Sequence, residues 1–311
     1  MGKQSPLYEP PNDGTGFTRK GQYWSIGVGI GRGIFAGGYA SAYSNIIDYV
    51  NIASVGNALD FGDLTVARMY NGGVSSSTRG CFGSGDPSNV IDYVTIAVLG
   101  NATDFGDLSI SRYGLAACSN ETRGCFAGGN GPSNVIDYIT IATTGNAQDF
   151  GDLTRSNEYL SGCGSSTRGV YGGGGTTVNV IDYITIASTG NALDFGDLSV
   201  GRSVNQACSS STRGLWLGGN NGSYLNTIDY VTIATTGNAT DFGDLLFTAN
   251  DGSATSNSIR GVSCFGNGTF DTYKRIQYVT IATTGNSSDF GDLNINRYGT
   301  GACSDCHGGL A

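Results

Sequence analysis

Residues 136–153 read I-D-Y-I-T-I-A-T-T-G-N-A-Q-D-F-G-D-L. The same phrase, with small changes, stands at residues 47–64, 91–108, 181–198 and 228–245. A sixth copy at 276–293 reads I-Q-Y-V-T-I-A-T-T-G-N-S-S-D-F-G-D-L. The first Asp of D-F-G-D falls at Asp60, Asp104, Asp149, Asp194, Asp241 and Asp289, in steps of 44, 45, 45, 47 and 48 residues. A fixed period of roughly 40–50 residues built from short β-type segments is the signature of a propeller blade.

One period, residues 112–153, divides into four strands. L-A-A-C-S at 115–119 reads as a first strand, and 120–122 as a turn. R-G-C-F-A-G-G at 123–129 reads as a second strand ending in a Gly pair, followed by a loop over 130–134. Residues 135–142, β-branched and carrying a Tyr, read as a third strand. The Gly-Asn of 143–146 needs positive φ and marks a hairpin turn, and 148–153 is a short fourth strand. Apolar residues occupy both phases of the third strand, as expected where both faces of a sheet are covered by neighbours. The fold expected is all-β: six blades of four antiparallel strands filling residues 23–311, with a short arm over 1–22. Residues 299–311 restart the first strand of a further unit, so the C-terminal strand is expected to pair with the N-terminal blade and close the ring. The alternative is that Y-W-S-I-G-V-G at 23–29 fills that slot.

Composition narrows the classes of function. Gly is 52 of 311 residues and Pro only 5, which suits many tight turns rather than a disordered linker. The chain carries 16 Lys and Arg against 25 acids, so a nucleic-acid partner is not expected. Nearly all the acids are Asp, mostly at fixed repeat positions that suit turns and caps. No apolar run approaches the roughly 20 residues of a membrane span, so membrane insertion is not expected. The first residues, M-G-K-Q-S-P-L-Y-E-P-P-N-D-G, do not read as a secretory signal.

The order of an opening Arg, a strand, a strand ending Gly-Gly, a strand with an aromatic and a short strand with an aromatic resembles the kelch repeat. The Gly pairs are read at Gly37-Gly38, Gly128-Gly129, Gly172-Gly173 and Gly218-Gly219. Blades two and six depart, with Gly83-Ser84-Gly85 and Gly266-Asn267-Gly268. Phe61, Phe105, Phe150, Phe195, Phe242 and Phe290 stand where kelch repeats carry a late Trp. The wording T-R-G-x-F-x-G-G followed by N-x-I-D-Y-x-T-I-A-T-T-G-N-A-x-D-F-G-D-L is similar to kelch-like proteins carried by tailed phages of marine cyanobacteria. That resemblance covers almost all of the chain after residue 22. It implies a six-bladed kelch-like propeller serving as a virion appendage or fibre-associated protein, made in the host cytoplasm and carried on the particle.

Several motifs have both a structural and a chemical reading. Arg32, Arg79, Arg123, Arg168, Arg213 and Arg260 recur at the turn between first and second strands. The D-F-G-D aspartates lie near the turn between third and fourth strands, on the same end of a propeller. A ring of Arg–Asp contacts between blades is therefore expected, against an ion-binding ring at a channel mouth. D-x-x-D alone lacks the six or so oxygens of a calcium loop, so no metal is expected. Cys118, Cys163, Cys208 and Cys303 share one repeat position with Val74 and Thr255, which marks a small buried site. Most of the eight Cys are expected to be reduced, small hydrophobes; Cys118 and Cys125, which flank one hairpin turn, are the pair to check for a disulfide. Cys303-Ser304-Asp305-Cys306-His307 matches a haem attachment pattern, but A-C-S is ordinary repeat text and His307 is the only His. No cofactor is expected. A single His also argues against a copper-radical oxidase or a serine triad, and no catalytic residue is assigned. A carbohydrate-active enzyme would need two carboxylates in one cleft.

Function belongs where the repeats differ. The loops after the Gly pairs are short in blades two to four and long at 39–44, 220–225 and 267–275. Blades five, six and one adjoin in a closed ring, so these loops form one patch. It holds Tyr39, Tyr43, Tyr224, Phe270, Tyr273, Lys274 and Arg275, aromatic and polar groups suited to a host-surface glycan or a protein. The arm over 1–22 is either a docking segment for other virion proteins or a disordered tail. The alternative to a virion role is an intracellular scaffold that binds a protein partner.

Overall fold

Every repeat becomes one four-stranded antiparallel sheet. The structure, a computed structural model, describes residues 31–131, 133–175, 178–266 and 274–306. Within these, six sheets form the blades of a propeller, each with an inner strand at the axis and an outer strand at the rim. Blade three runs Ala116–Ser119, Arg123–Ala127, Ser133–Thr140 and Gln148–Asn157 from axis to rim. The second strand stops at Ala127 because Gly128 and Gly129 take φ of 70° and 120° and turn the chain. In blade four the same corner is made by Gly173 and Gly174, not by Gly172, which stays in its strand. Blade one is completed by the C-terminal strand Gly301–Ser304, which pairs antiparallel with Arg32–Ala36. The ring is thus closed by the two ends of the described chain. The alternative closing segment at 23–29 lies outside the described residues, as do the arm, Phe270, Tyr273 and His307.

A bulge in each blade explains the odd spacing of D-F-G-D. The register between third and outer strands shifts at the I-D step, so Ile136 faces Gly151 while Asp137 faces Asp149. Phe150 is the extra residue. The bulge turns its ring into the core, where it is 2% exposed, and leaves Asp149 in solvent. The same shift recurs in the other five blades. Each inward Phe meets the Tyr of its third strand edge to face, at 6.0 Å for Tyr138 and Phe150.

Four seams join blade to blade. At the axis, the Ser75, Ser304, Ser256 and Ser209 hydroxyls donate to the carbonyls of Ser304, Ser256, Ser209 and Gly164 at 2.7–2.8 Å. One step out, the Cys, Val or Thr of an inner strand lies over the Gly that follows Arg in the next blade, as Cys163 lies over Gly214. Beyond this, apolar clusters fill the space between sheets, for example Ile34, Ile47 and Phe61 against Phe82 and Ile96. At the rim, each G-N-A turn docks on the outer strand before it. Gly100 and Ala102 donate to the carbonyls of Phe61 and Asp63, and Asn101 accepts from the Asp63 N–H.

The recurring arginines add a fifth seam to these four, through a different partner from the expected aspartates. Each guanidinium lies over the Tyr ring of its own third strand, 4.3–4.8 Å from the centroid. Each then donates to a backbone carbonyl of the next blade, from Arg32 to Ile96 at 2.7 Å round to Arg260 and Ala53 at 3.0 Å. Asp60, Asp104, Asp149, Asp194, Asp241 and Asp289 are exposed on the outer strands.

The rim seam is testable. Gly56 and Gly291 both sit near φ +150°, at 157° and 149°. A Cβ on Gly56 meets nothing within 4 Å, whereas one on Gly291 would collide with the Gly56 carbonyl. Gly291→Ala should therefore cost about 2 kcal/mol more than Gly56→Ala in urea unfolding. Equal losses would mean that backbone conformation alone, not seam packing, selects glycine.

Candidate functional site

The two ends of the propeller differ in kind. One carries the tight turns and the arginine seam, and both described ends of the chain, residues 31 and 306, lie there. The other carries the loops after the Gly pairs together with the connections that run from each rim to the next inner strand. Four of those connections bury an arginine. Arg68 pairs with Asp92 at 2.9 Å, Arg112 with Asp137 at 3.0 Å, Arg202 with Asp229 at 2.8 Å and Arg297 with Asp48 at 3.1 Å, all with fully buried side chains. The carboxylates are the Asp of I-D-Y in the following blade. A Thr, Ser or Asn five residues after D-F-G-D's first Asp also donates to each, such as Ser109 to Asp137 at 2.7 Å. Burial works against charge on both partners, pulling the Arg297 guanidinium down and pushing the Asp48 carboxyl up. In blade six the pair is deleted as a unit: Gln277 replaces Asp, Ala249 replaces Arg, and Leu246 replaces the hydroxyl. Gln277 instead accepts from the Leu246 N–H and the Ser287 hydroxyl. Asp182 keeps the Thr154 hydroxyl, but Asn157 stands at the arginine position and donates to the Gly173 carbonyl instead, and burial pushes the Asp182 carboxyl up.

Two residues past each arginine position, the chain passes the axis. Tyr70, Gly114, Tyr159, Val204, Asp251 and Gly299 all adopt left-handed φ, between 49° and 66°. Their backbones close a circle. Tyr70 N–H donates to Gly299 at 2.6 Å, Gly114 to Tyr70 at 3.1 Å, and Tyr159 to Gly114 at 2.6 Å. Val204 then donates to Tyr159 at 2.9 Å, Asp251 to Val204 at 3.1 Å, and Gly299 to Asp251 at 2.6 Å. Four of the six are not glycine, and left-handed geometry costs such residues roughly 1–2 kcal/mol each.

A crown of tyrosines stands on this hoop. Tyr70 meets Tyr159 edge to face at 5.5 Å, stacks on Tyr113 at 6.2 Å and contacts Tyr298 at 6.4 Å. Tyr298 continues to Tyr39 at 5.6 Å and Tyr39 to Tyr43 at 5.7 Å. The Tyr70 hydroxyl donates to Asp251 Oδ1 at 2.8 Å, and the Tyr43 hydroxyl to Asp86 at 2.6 Å. Burial, the Asp251 charge and this hydrogen bond push the Tyr70 phenol well above its usual range. Asp251 itself is pushed up to about 6 by burial, against the pull of the Tyr70 hydroxyl on Oδ1, while Asn250 Nδ2 donates to Oδ2 at 2.9 Å. Under the crown lies a cavity of about 60 Å³ walled by Tyr70, Tyr159, Asp251, Asn71, Asn205 and Thr300. It leads into a polar chamber of about 100 Å³ at the level of Gly73, Ala117 and Ala302.

Of the residues singled out in the sequence, Tyr39 and Tyr43 join this crown. Tyr224 is 41% exposed in the blade-five loop, bridged to Asn220. Lys274 pairs with Asp292 at 3.4 Å, and Arg275 lies over Phe247 at 5.3 Å, both at the start of a third strand and away from the tyrosines. Phe270 and Tyr273 lie outside the described residues. The aromatic surface therefore runs from blade one across the axis, through Tyr70, Tyr113, Tyr159 and Tyr298, which sequence reasoning passed over. Their only signal is a Tyr at slightly shifted places in the connections. All eight cysteines are buried thiols. Cys118 and Cys125 face each other in register across their hairpin, and burial with the neighbouring thiol pushes Cys125 up. Among the described residues no group of three His, Cys, Asp or Glu is placed to hold a metal. No protein-family model matches the chain, and no curated protein matches it in sequence. The class is the one that the fold defines, a six-bladed β-propeller.

Two outcomes are expected from this geometry. Arg68→Ala strands Asp92 in the core and should cost about 3–5 kcal/mol. Adding Asp92→Gln and Thr65→Leu, the blade-six arrangement, should recover at least half of that in urea unfolding. Second, the folded state holds the Asp251 proton up to pH about 6, against 3.8 for the ordinary group. The wild type therefore loses stability as pH rises between those values and levels off above them. Asp251→Asn tolerates left-handed φ and should match wild type near pH 4. It should exceed it by about 2 kcal/mol near pH 8. A pH-independent difference would remove the buried charge from the account.

Proposed function

We propose that this propeller is a non-enzymatic binding protein carried on a phage particle, where it presents its loop end to a host-surface glycan or protein. The propeller fold by itself suggests a role in protein interaction; the finer assignment rests on the site and on the repeat wording. The observation that carries it is the tyrosine crown, set at the end opposite the one where the described chain begins at residue 31 and ends at residue 306. A molecule anchored through its arm would hold the crown outward. Aromatic faces mounted on a hydrogen-bonded hoop offer contact area at little entropic cost. The loop roots are fixed too: Tyr39 and Tyr298 exchange both backbone hydrogen bonds, as do Ser203 and Asn220. The resemblance of the repeats to kelch-like proteins of tailed cyanobacterial phages supports the virion setting. It also supports synthesis in the host cytoplasm and attachment to other virion proteins. The recurring carboxylates and arginines are committed to seams or to the solvent rim, which favours binding over chemistry.

The test has two parts. Gold-labelled antibody on purified particles should mark a tail tip or fibre; absence of label would move the intracellular scaffold to the front. Purified protein should bind host cells saturably. Tyr43→Ala with Tyr113→Ala should weaken that binding about tenfold or more with unchanged melting temperature, as for aromatic anchors worth about 1.4 kcal/mol or more. Undiminished binding by this variant would place the receptor contact elsewhere.

A further inference from the structure

Exposed apolar side chains gather at the turn end on three adjoining blades. Ile259 of blade six, Val55 and Leu59 of blade one, and Val98 and Leu99 of blade two are each more than half exposed. The equivalent positions in blades three to five hold Ser, Thr or Gln, Leu193 excepted. The seams bring the apolar positions together. Arg260, next to Ile259, donates at 3.0 Å to the carbonyl of Ala53, two residues before Val55. Arg32 donates at 2.7 Å to the carbonyl of Ile96, two residues before Val98. The Gly100 N–H, next to Leu99, donates at 2.9 Å to the carbonyl of Phe61, two residues beyond Leu59. The described chain begins in their midst. The Gly31 carbonyl accepts from the Ile52 N–H at 2.6 Å, and a Cβ on Gly31 would lie 3.2 Å from Asn257 Nδ2 in the blade-six turn. A contiguous apolar patch on an otherwise polar face marks a contact surface.

We propose that residues 23–30 of this chain lie across the turn end, with Trp24, Ile26, Val28 and Ile30 on this patch. The stretch Y-W-S-I-G-V-G-I alternates strictly from Trp24 onward, with large apolar residues in one phase and Ser25, Gly27 and Gly29 in the other. That is the pattern of an extended segment with one face to bury. The ring has no place for it, because Gly301–Ser304 occupies the slot beside Arg32–Ala36. Ile30 is joined directly to Gly31, so the segment meets the patch at an effective concentration in the millimolar range, ahead of a free partner. Seven residues at about 3.3 Å each span about 23 Å, enough to pass from the second strand to the rim of a blade whose strands stand about 4.8 Å apart. The stretch that follows residue 306 offers one large apolar side chain, Leu310. A segment seated in this way fixes where residues 1–22 leave the propeller, on the end opposite the crown. The inference stands apart from the proposed host contact, which uses the other end.

Trp24 is the reporter. The chain has two Trp, and Trp216 is fully buried, so Trp24→Phe supplies the baseline. In the full-length wild type, acrylamide should quench Trp24 poorly, and light scattering should find a monomer. Val98→Thr with Leu99→Thr gives blade two the T-T-G-N turn that blades three, five and six already carry, so the ring should still fold and melt cooperatively. This pair should lower the packed-to-free ratio of the segment about tenfold or more and leave Trp24 open to the quencher. Ile26→Ser with Val28→Ser changes nothing in the described ring and should free Trp24 in the same way. It should also raise binding of the dye ANS, and adding the two Thr substitutions should bring that binding down again. Trp24 freely quenched in the wild type, or shielding that survives both pairs of substitutions, overturns the proposal; ANS binding by the wild type would then leave the patch to a partner protein. A wild-type dimer that Val98→Thr with Leu99→Thr dissociates overturns it in favour of a second copy of the chain.

Discussion

Six sheets can share an axis only if almost nothing stands on it. At the level of Gly73, Ala117, Gly162, Ala207, Ala254 and Ala302, each inner strand approaches its neighbours so closely that a Cβ on Gly73 would run into the Ala302 backbone. That constraint propagates outward. Inner strands that close can hand serine hydroxyls from one to the next, replacing water on groups that would otherwise be buried unpaired. The next residue out must be small, and the glycine after each recurring arginine exists because a Cys, Val or Thr lies against it. Only beyond this do the sheets diverge enough for Phe and Ile to pack between them. The growth of side chains from axis to rim follows from angular geometry.

Within this frame the repeats diverge in correlated ways. Asp92, Asp137, Asp229 and Asp48 each keep a buried arginine and a donor from the preceding connection. Gln277 has lost all of it together. A carboxylate in a dry seam is tolerable only with its cation, and a neutral amide is tolerable without one. Asp182 is the intermediate case, keeping the charge and one hydroxyl but not the arginine, and its raised carboxyl pKa is the physical trace. The partner of each charge is read from within one chain, because six copies sample the same environment.

The sequence disclosed period and strand order and hid register and side-chain partners. Period, strand order and closure by the last strand were all legible, since they rest on apolar pattern and turn residues. The bulge that turns Phe150 inward was not, because it shifts register without changing composition. The pairing of the recurring arginines was misjudged for a related reason: an Arg near a cluster of Asp invites an ion pair. Only the backbone trace shows those aspartates facing solvent and a carbonyl within reach instead. The buried arginines stood in plain view, four residues after the Leu of D-F-G-D-L in four copies. An Asp in the middle of an apolar strand already demanded a partner. At the loop end, reading by loop length favoured blades five, six and one. The tyrosine crown lies instead on the connections, whose lengths scarcely vary. Tyr39 and Tyr43 belong to both readings.

The hoop of left-handed residues gives the mouth its meaning. If the circle served only to bind six connections together, glycine would do so at every position without strain, as it does at Gly114 and Gly299. Instead Tyr70, Tyr159, Val204 and Asp251 bear the left-handed cost and hold side chains over the axis. Val204 is the clearest case, because a β-branched residue is the least tolerant of positive φ. Residues held in unfavourable backbone geometry persist where the surroundings over-determine them, and they gather at sites that bind or act. The six hydrogen bonds of the circle supply the over-determination. Asp251 bears two costs, a strained backbone and a buried charge, and its carboxylate ties the crown to the hoop, accepting from the Tyr70 hydroxyl at one oxygen and from Asn250 Nδ2 at the other.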